Sequence, residues 1–382
     1  MTRVGNPFQY GTVALGDAFA DREDEVRDLC RDIENGQNVV VFAPRRYGKS
    51  SLVERAREEV SARGALVAYV DVMTAPTKEK LAEKLARAIH DDIASAVFRA
   101  REAALEIFRG LRVTPKITVD PNTGALGFGF DAGYEAEDVD ATLERLLELP
   151  AELAADRGRP VALVLDEFQE VVAIDPNLPR LMRAIFQRQP DVAHVYLGSK
   201  RHMMESIFND ENEPFWRSAR RMALDVIAPA RFTEFVHRRF GASGKRVGDE
   251  TLAAVLSLTG GHPYATQELC YFLWDETPPG GEAGTAELEA ALDAVLHSEH
   301  AHFDLLWDGL SAGQRLLLGA LATEPGRPFS AEYRRRHRLP AATNVQKALR
   351  ALTRRELVAR GPDGAVAVAE PFLAEWIRRE VV

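Results

Sequence analysis

The chain has 382 residues, of which 46% are hydrophobic and 28% are charged, a balance typical of folded globular proteins with room for two or three domains. Its net charge of −10 is unevenly placed, because residues 301–382 carry +4 and residues 1–300 carry the remaining −14. So acidic a body excludes a protein coated with nucleic acid along its whole length, and leaves one basic face near the C-terminal end.

A membrane helix needs roughly 18 consecutive apolar residues, and the sequence contains no such run. The first residues also lack the apolar segment of a secretory signal, so we expect a cytoplasmic protein without a membrane contact. Cys30 and Cys270 lie far apart in helix-like apolar contexts. This favours two buried free thiols over a disulfide or a metal site.

The first predicted helix covers residues 21–33, because Asp21 is a suitable N-cap and acidic residues occupy the favourable first turn. It follows a turn at Asn6–Pro7, beside which stand two aromatic residues, Phe8 and Tyr10. We expect these rings to pack on the domain that begins with this helix.

A β-branched strand at residues 38–42 runs into a loop that ends Gly-Lys-Ser, and a helix-like stretch follows at once. This is the layout of a phosphate-binding P-loop, in which backbone N–H groups and the positive end of the helix surround a polyphosphate. Lys49 would place its ammonium between the outer two phosphates, Ser50 would bind Mg²⁺, and Gly48 would let the backbone approach closely. The predicted nucleotide-binding residues of the loop are Ala43, Pro44, Arg45, Arg46, Tyr47, Gly48, Lys49, Ser50 and Ser51.

The alternative for this loop is a chance Gly-Lys-Ser at an ordinary strand-to-helix turn, and a second motif decides between the two. Residues 161–165 form an apolar run, typical of a strand buried on both faces, that ends in the carboxylates Asp166 and Glu167. In such a Walker B strand, Asp166 would hold Mg²⁺ through a water molecule, and Glu167 would orient and deprotonate the attacking water. A solvated acidic turn is the alternative, which the upstream P-loop disfavours.

Other strands and helices of this region follow from apolar runs and helical spacing, at residues 65–72, 78–108, 138–156, 192–197 and 223–227. Residues 113–119 and 125–130 alternate with period two around a turn at residues 120–124, which indicates an inserted hairpin at about residues 110–135. Five strands alternating with helices predict a parallel three-layer α/β sheet with the phosphate site at the carboxyl ends of its strands. This core would occupy residues 1–230.

The pattern of residues 231–277 is helical with an interruption at Gly260–Pro263, and Pro278–Gly281 marks a linker, so we predict a helical lid at residues 231–300. Residues 301–382 predict three helices followed by a two-stranded hairpin, which is the order of a winged helix-turn-helix. These elements are predicted at residues 312–322, 331–337, 343–355, 357–360 and 365–368.

Several short motifs occur in a specific order along nearly the whole chain, at Phe19–Glu23, Pro44–Arg46, Asp166–Gln169, Gly198–Ser199, Pro214–Arg217 and Gly261–Pro263. With these motifs the chain resembles the archaeal-type ATPases of the STAND branch of the AAA+ superfamily, which are relatives of the origin-recognition ATPases. The resemblance implies a P-loop NTPase with a three-layer parallel sheet, a helical lid and a C-terminal winged helix-turn-helix.

The resemblance also implies roles that spacing alone does not give. Ser199 is similar to the sensor residue that contacts the γ-phosphate, with a strand-end turn serine as the alternative. Arg217 is similar to an arginine that contacts the γ-phosphate in cis or from a neighbouring subunit, as an arginine finger does. Arg220 and Arg221 are weaker candidates, and salt bridges to the carboxylates of residues 210–213 are the alternative for all three arginines.

His262–Pro263 is similar to the family's lid motif that touches the base or sugar, and a helix-breaking turn is the alternative. Arg22 would lie near the adenine edge. Guanine specificity is disfavoured because the chain contains no Asn-Lys-x-Asp sequence. The predicted cofactors are therefore ATP and Mg²⁺, and the predicted catalytic residues are Lys49, Glu167 and Arg217.

Two functions fit this sequence. The first is a Mg²⁺–ATP-dependent switch that hydrolyses ATP and has the winged helix as its output domain. The second is a DNA-binding ATPase acting in DNA loading, regulation, or mobile-element or defence processes. Basic and polar residues that could meet DNA are Arg334, Arg335, Arg336, Arg338, Asn344, Lys347, Arg350, Arg354 and Arg360.

The alternative for residues 301–382 is a winged helix that packs on its own ATPase body or on a protein partner, because a charge of +4 is modest for a nucleic-acid module. A nucleotide-dependent oligomer is a further expectation.

Overall fold

The computed structural model describes residues 5–94, 111, 116–119, 126–129, 136–361 and 363–381. It divides into two compact units. We call Arg22–Asp225 the sheet unit, and Met1–Asp21 together with Val226–Val382 the helical unit. Part of the predicted helix at residues 78–108, and the turn predicted at residues 120–124, lie outside the described residues.

A parallel five-stranded sheet forms the centre of the sheet unit, with the order β2-β5-β6-β1-β7. Every residue of β5 and β6 is buried, because helices cover both faces of a parallel sheet and its strands are therefore apolar throughout. The predicted α/β fold class is confirmed. The strands of this unit are β1 Val39–Phe42, β2 Leu66–Asp71, β3 Lys116–Val119, β4 Leu126–Gly129, β5 Val161–Asp166, β6 Val192–Gly198 and β7 Arg220–Ala223.

The fifth strand of the sheet lies at Arg220–Ala223, so its prediction at residues 223–227 is wrong by three positions at the start and four at the end. Among the described strands this edge strand pairs with β1, in a register that joins Val39 to Arg220 and Phe42 to Ala223. Edge strands carry polar residues that hide the apolar run used to find a central strand. The predicted hairpin is present as an antiparallel pair, β3 with β4.

Along the chain, α1 precedes β1, and the other helices of the sheet unit lie between strands. They are α1 Glu23–Glu34, α2 Lys49–Ala62, α3 Lys78–Ala88, α4 Ala136–Arg157, α5 Val171–Ile174, α6 Leu178–Phe186 and α7 Arg201–Asn209, with a π-helical turn at Ile89–Ala94 and a 3₁₀ turn at Phe168–Glu170. The Phe168 ring packs against those of Tyr196 and Phe215, with centroid distances of 4.7 and 5.2 Å. Phe168 therefore anchors the segment that directly follows Glu167.

The helical unit contains both the predicted lid helices and the predicted winged helix, and their buried side chains form one continuous core. Its helices are α8 Pro229–Ala242, α9 Asp249–Thr259, α10 Pro263–Glu276, α11 Thr285–Asp308, α12 Ala312–Thr323, α13 Ala331–Arg336, α14 Ala342–Arg354 and α15 Pro371–Glu380. Its strands are β8 Arg246–Val247, β9 Glu282–Ala283, β10 Val358–Arg360 and β11 Val366–Val368. Helices α12 to α14 and the β10–β11 hairpin have the order predicted for a winged helix-turn-helix.

Two aromatic residues near the N-terminus pack on the helical unit, and Phe8 is part of its buried core. The Phe8 ring lies 5.4 Å from that of Phe240, and the Tyr10 ring lies 5.3 Å from that of Tyr271. The expectation that Phe8 and Tyr10 pack on the domain that begins with α1 is therefore wrong. Aromatic side chains on α8 and α10 give these rings their partners, and a sequence pattern does not reveal such long-range pairings.

Cys30 and Cys270 are free and buried, as predicted. Burial raises the pKa of the Cys30 thiol to about 11, which makes this thiol unreactive at neutral pH. None of the described helices combines the length and the apolar character that a bilayer crossing requires.

The turn between α9 and α10 requires glycine at residue 261, where φ is +72° and an added Cβ would lie 2.6 Å from the Ile227 carbonyl oxygen. We expect Gly261→Ala to lower the free energy of unfolding by roughly 1–2 kcal/mol or more, because the left-handed backbone alone costs that much. Gly241→Ala is the matched control, since its Cβ would meet nothing within 4 Å and helical alanine stabilises by about 0.5–1 kcal/mol. Denaturant titration of both variants measures this, and equal stabilities would contradict the account.

Candidate active site

The P-loop follows β1, which is flanked by β6 and β7 in the sheet. Helix α2 begins at Lys49, and Gly48 is its N-cap residue with φ at 83°. Arg46 also has a positive φ, at 66°. These left-handed residues turn the chain from the strand into the helix, and the first N–H groups of α2 are directed toward the loop as an anion site requires.

Lys49 is buried, and its ammonium donates hydrogen bonds to the carbonyl oxygens of Ala43 and Pro44 at 2.9 and 3.0 Å. Burial has the largest influence on the pKa of Asp166 and of Glu167 and raises both, and the positive charge of Lys49 opposes it on each carboxyl. Parallel pairing of β1 with β6 and of β6 with β5 brings the P-loop lysine and the acidic pair to the same end of the sheet, as binding of a triphosphate requires.

Asp166 is the last residue of β5, and both of its carboxylate oxygens accept hydrogen bonds. One oxygen accepts from the Glu167 backbone N–H at 2.8 Å and the other accepts from the Tyr69 hydroxyl. Burial raises the pKa of Asp166, and these hydrogen bonds oppose that rise. Ser50 directly follows Lys49 at the start of α2 and supplies a hydroxyl oxygen of the kind that Mg²⁺ prefers.

A magnesium ion of a P-loop ATPase takes few ligands from the protein, since phosphate oxygens and water supply the rest. Ser50 and Asp166 fit that ligand set. In the part of the chain that the structure describes, no group of three or more His, Cys, Asp or Glu side chains offers a different metal site.

Glu167 has a left-handed backbone, with φ at 50°, and its side chain is held by three donors. One carboxylate oxygen accepts from the Ser199 hydroxyl at 2.6 Å, the Ser199 N–H at 3.3 Å and the Gln169 amide at 2.5 Å. Burial by itself raises the pKa of Glu167, but these hydrogen bonds outweigh it and lower the pKa below its ordinary value. The carboxylate is therefore ionised at neutral pH, as a general base must be.

The sequence predictions treated Ser199 and Glu167 as separate parts, and the structure brings them together. Ser199 follows β6, the strand beside β5, and is almost fully buried. Sequence reasoning missed the contacts of Gln169 and Tyr69. Gln169 stands two residues after Glu167 in the Walker B segment, which was a usable signal, whereas Tyr69 sits inside a strand where tyrosine is ordinary.

The contacts of Arg217 and Arg220 are with residues other than Lys49, Asp166, Glu167 and Ser199. Arg217 is exposed, has φ at 51°, and stacks its guanidinium 4.9 Å from the centroid of the Trp216 ring. Arg220 instead forms ion pairs with Asp28 and Asp32 of α1. Its partners are thus on a helix and not in the acidic run at residues 210–213.

Arg22 is the N-cap residue of α1, so the predicted N-cap at Asp21 is wrong by one position. Its side chain is only 5% exposed. The guanidinium donates to the carbonyl oxygens of Tyr47 in the P-loop at 3.3 Å and Asp225 at 2.6 Å, and pairs with Glu25 at 3.2 Å. A contact with adenine stays a prediction.

His262 and Pro263 belong to the helical unit, where they begin α10. The His262 ring accepts a hydrogen bond from the Ala265 N–H at 3.2 Å, and Pro263 is the first helical residue. Proline is well suited to this position because its missing N–H would be unpaired there anyway. The pair thus lies where the turn after α9 ends and α10 begins, and contact with a nucleotide stays a prediction.

Residues 19–269 match the model of a family described as an ATPase domain predominantly from Archaea. The chain belongs to this family. It is therefore a P-loop ATPase, and the motifs around Lys49 and Asp166 lie inside the matched region. Residues 301–379 match a second model, described as a probable winged helix domain. The comparison with curated proteins found no match.

Solved structures resemble this ATPase over almost its whole length. The Walker-type ATPase PABY2304 of Pyrococcus abyssi is 16% identical with a TM-score of 0.67, covering 97% of this chain and 99% of that one. The Aeropyrum pernix ORC1 protein in complex with DNA is 14% identical with a TM-score of 0.50, covering 96% and 94%. The ORC2 protein of the same organism, in its ADP form, is 13% identical with a TM-score of 0.51, covering 95% of each chain. At these identities the likeness shows the fold.

Replacing Lys49 by alanine should weaken ATP binding by about 100-fold or more, because a buried charge-assisted contact to phosphate is lost. Calorimetric titration with ATP measures this. Lys80→Ala is the matched control, since Lys80 is an exposed residue of α3 that pairs with Glu83 at 2.7 Å. Equal losses in the two variants would contradict the assignment of the P-loop.

Replacing Glu167 by glutamine should leave ATP binding within about threefold and lower turnover by about 100-fold or more, because an amide cannot accept a proton from water. Phosphate release under saturating ATP measures turnover. Glu170→Gln is the control, since Glu170 pairs with Lys200 at 2.7 Å one turn further on. Unchanged turnover in Glu167→Gln would exclude Glu167 as the base.

Proposed function

We propose that this ATPase is a Mg²⁺–ATP-dependent conformational switch of the STAND branch of the AAA+ superfamily, with the winged helix as its output domain. The observation that carries the proposal is the position of Arg22. Its one guanidinium contacts the Tyr47 carbonyl of the P-loop and the Asp225 carbonyl. Residues 21–22 and 225–226 are also the two places where the chain passes between the sheet unit and the helical unit.

This placement gives the nucleotide a route to the second unit. A ligand shifts an equilibrium between two conformations only if it makes unequal contacts in them. A triphosphate seated on the N–H groups of the P-loop acts on the peptide at Tyr47, and hence on how firmly Arg22 holds that carbonyl. Arg22 precedes α1 directly and holds Asp225 at the other crossing, so both crossings respond to one side chain.

The residues around Glu167 supply the hydrolytic step. Ser50 and Asp166 would hold Mg²⁺, which would supply neutralisation of the phosphate charge. Lys49 binds the outer phosphates, and Glu167 orients the attacking water and accepts its proton. The Ser199 hydroxyl donates to Glu167 at 2.6 Å and can donate to a γ-phosphate oxygen instead. A Ser199 hydroxyl that turns to the γ-phosphate no longer occupies the Glu167 carboxylate, so detection of the phosphate frees that carboxylate to accept a proton.

Arg217 fits a role between subunits. Its side chain is exposed and rests on Trp216, which is itself 42% exposed. We infer that it reaches the γ-phosphate of a neighbouring copy, as an arginine finger does, and that assembly is therefore nucleotide-dependent.

Replacing Arg22 by alanine should leave ATP binding within about tenfold but abolish the structural response to it, because the P-loop carbonyl loses its link to the crossings. Amide hydrogen exchange at residues 225–228, compared between ADP and a non-hydrolysable ATP analogue, measures the response. In the unaltered protein the two nucleotides should give different exchange rates. Arg22→Lys keeps the charge and should retain part of the difference.

Arg27→Ala is the control for Arg22, since Arg27 lies on the exposed side of α1 and pairs with Asp24 at 2.8 Å. It should behave as the unaltered protein does. A response that survives in Arg22→Ala would remove Arg22 from the coupling route. Identical exchange with both nucleotides in the unaltered protein would exclude the switch itself.

A second candidate is an ATPase that acts on DNA, and the surface of α14 favours it. The buried face of this helix packs Val345 and Leu352 into the core. Its opposite face is exposed and polar, and within α14 it carries no acidic residue; this face presents Asn344, Lys347, Arg350 and Arg354. Arg360 is exposed on the adjoining hairpin. The chemistry of this face suits phosphate oxygens and base edges.

Replacing Arg350 and Arg354 together by alanine should weaken duplex DNA binding and reduce the slope of log K against log salt by about 2, since each phosphate contact contributes about 0.9. Fluorescence anisotropy over a salt series measures both quantities. Arg238 and Arg246 are the matched pair for the control, because they are exposed arginines elsewhere in the helical unit. Salt-insensitive or absent binding in the unaltered protein would favour a protein partner at this surface.

A further inference from the structure

Tyr69 stands in β2, the edge strand that pairs with the Walker B strand. The pairing register sets Tyr69 opposite Val164 and Asp71 opposite Asp166. Its neighbours in the strand are Ala68 and Val70, both buried. Tyr69 is therefore a half-buried residue whose hydroxyl extends toward the carboxyl end of the sheet, where the P-loop and the acidic pair meet.

The Tyr69 hydroxyl donates a hydrogen bond to one oxygen of Asp166, a residue expected to hold the metal ion.

The orientation of the Asp166 carboxylate matters for metal binding, and Tyr69 holds one of its two oxygens. The second oxygen of Asp166 accepts the Glu167 N–H at 2.8 Å, so the carboxylate cannot rotate freely.

We propose that Tyr69 is a positioning residue for the Mg²⁺ of the ATP complex, acting through Asp166. This inference rests on the proposed Mg²⁺–ATP binding and goes beyond it by adding a residue outside both nucleotide motifs. Partners that orient metal ligands typically change metal affinity by about 10- to 100-fold when they are removed.

Tyr69→Phe tests the proposal, because it keeps the ring in place and removes only the hydroxyl. Binding of a fluorescent ATP analogue is titrated with Mg²⁺, and its affinity in EDTA is measured separately. We expect the Mg²⁺ concentration that gives half of the maximal increase in ATP-analogue binding to rise about tenfold. The affinity for the analogue in EDTA should change by less than about twofold. Mn²⁺ bound to the nucleotide complex, measured by electron paramagnetic resonance, should weaken in parallel.

The control is Tyr196→Phe, in which the altered ring lies in β6, separated from β2 by β5, and 4.7 Å from the ring of Phe168 in the aromatic core. It should leave the Mg²⁺ requirement unchanged. Denaturant unfolding of both variants shows whether a loss of stability accounts for any effect. An unchanged requirement in Tyr69→Phe would overturn the proposal, and so would a lower one, because the hydroxyl would then be competing with the metal ion.

Ser50→Ala separates this proposal from the one on which it rests. If Ser50→Ala raises the Mg²⁺ requirement and Tyr69→Phe does not, the metal site stands and Tyr69 has no part in it. If neither variant changes the requirement, the assignment of Ser50 to Mg²⁺ is itself wrong, and the role of Tyr69 falls with it.

Discussion

Parallel pairing of the central strands is the constraint on which the site depends. Strands β5, β6 and β1 are consecutive in the sheet and run in the same direction, so the residues that follow them lie together at the carboxyl end of the strands. Lys49, Glu167 and Ser199 come from three separate stretches of chain and meet there. If one of the three strands were antiparallel, the functional residue that follows it would lie at the other end of the sheet. With β5 reversed, for example, Lys49 would have no acidic pair near it.

The state of Glu167 follows from that convergence. Burial alone would favour a protonated carboxyl, which could not act as a base. Donors from Ser199 and Gln169 reverse this effect, so the group stays charged although it is half-buried. The same contacts restrain it, since all three donors act on one oxygen. Charging of the base and its restraint therefore have one physical origin, and the sequence motif alone does not contain it.

What could be predicted from the sequence was short in range. The P-loop and Walker B strand are patterns of adjacent residues, and the strand-to-loop order places them without knowledge of the rest. The edge strand β7 was predicted too far along the chain. Its polar Arg220 pairs with α1, and the more apolar run just after the strand gave the stronger sequence signal for a strand. Tyr69 was missed since strand tyrosines usually serve packing. Phe8 was assigned to the wrong unit because no local pattern encodes its partner, Phe240.

The helical unit is discontinuous in sequence, since its core takes Phe8 and Ala20 from the N-terminal segment and the rest from Ile227 onward. Trp376 of α15 packs against Phe303 of α11, so the winged helix and the helices before it share apolar neighbours. A chimera that exchanged only residues 301–382 would cut through this shared interior and leave apolar surface exposed on both pieces. Replacing the winged helix of this ATPase by another one therefore requires exchanging the tail together with its preceding helices and the N-terminal segment that holds Phe8 and Ala20, as one unit.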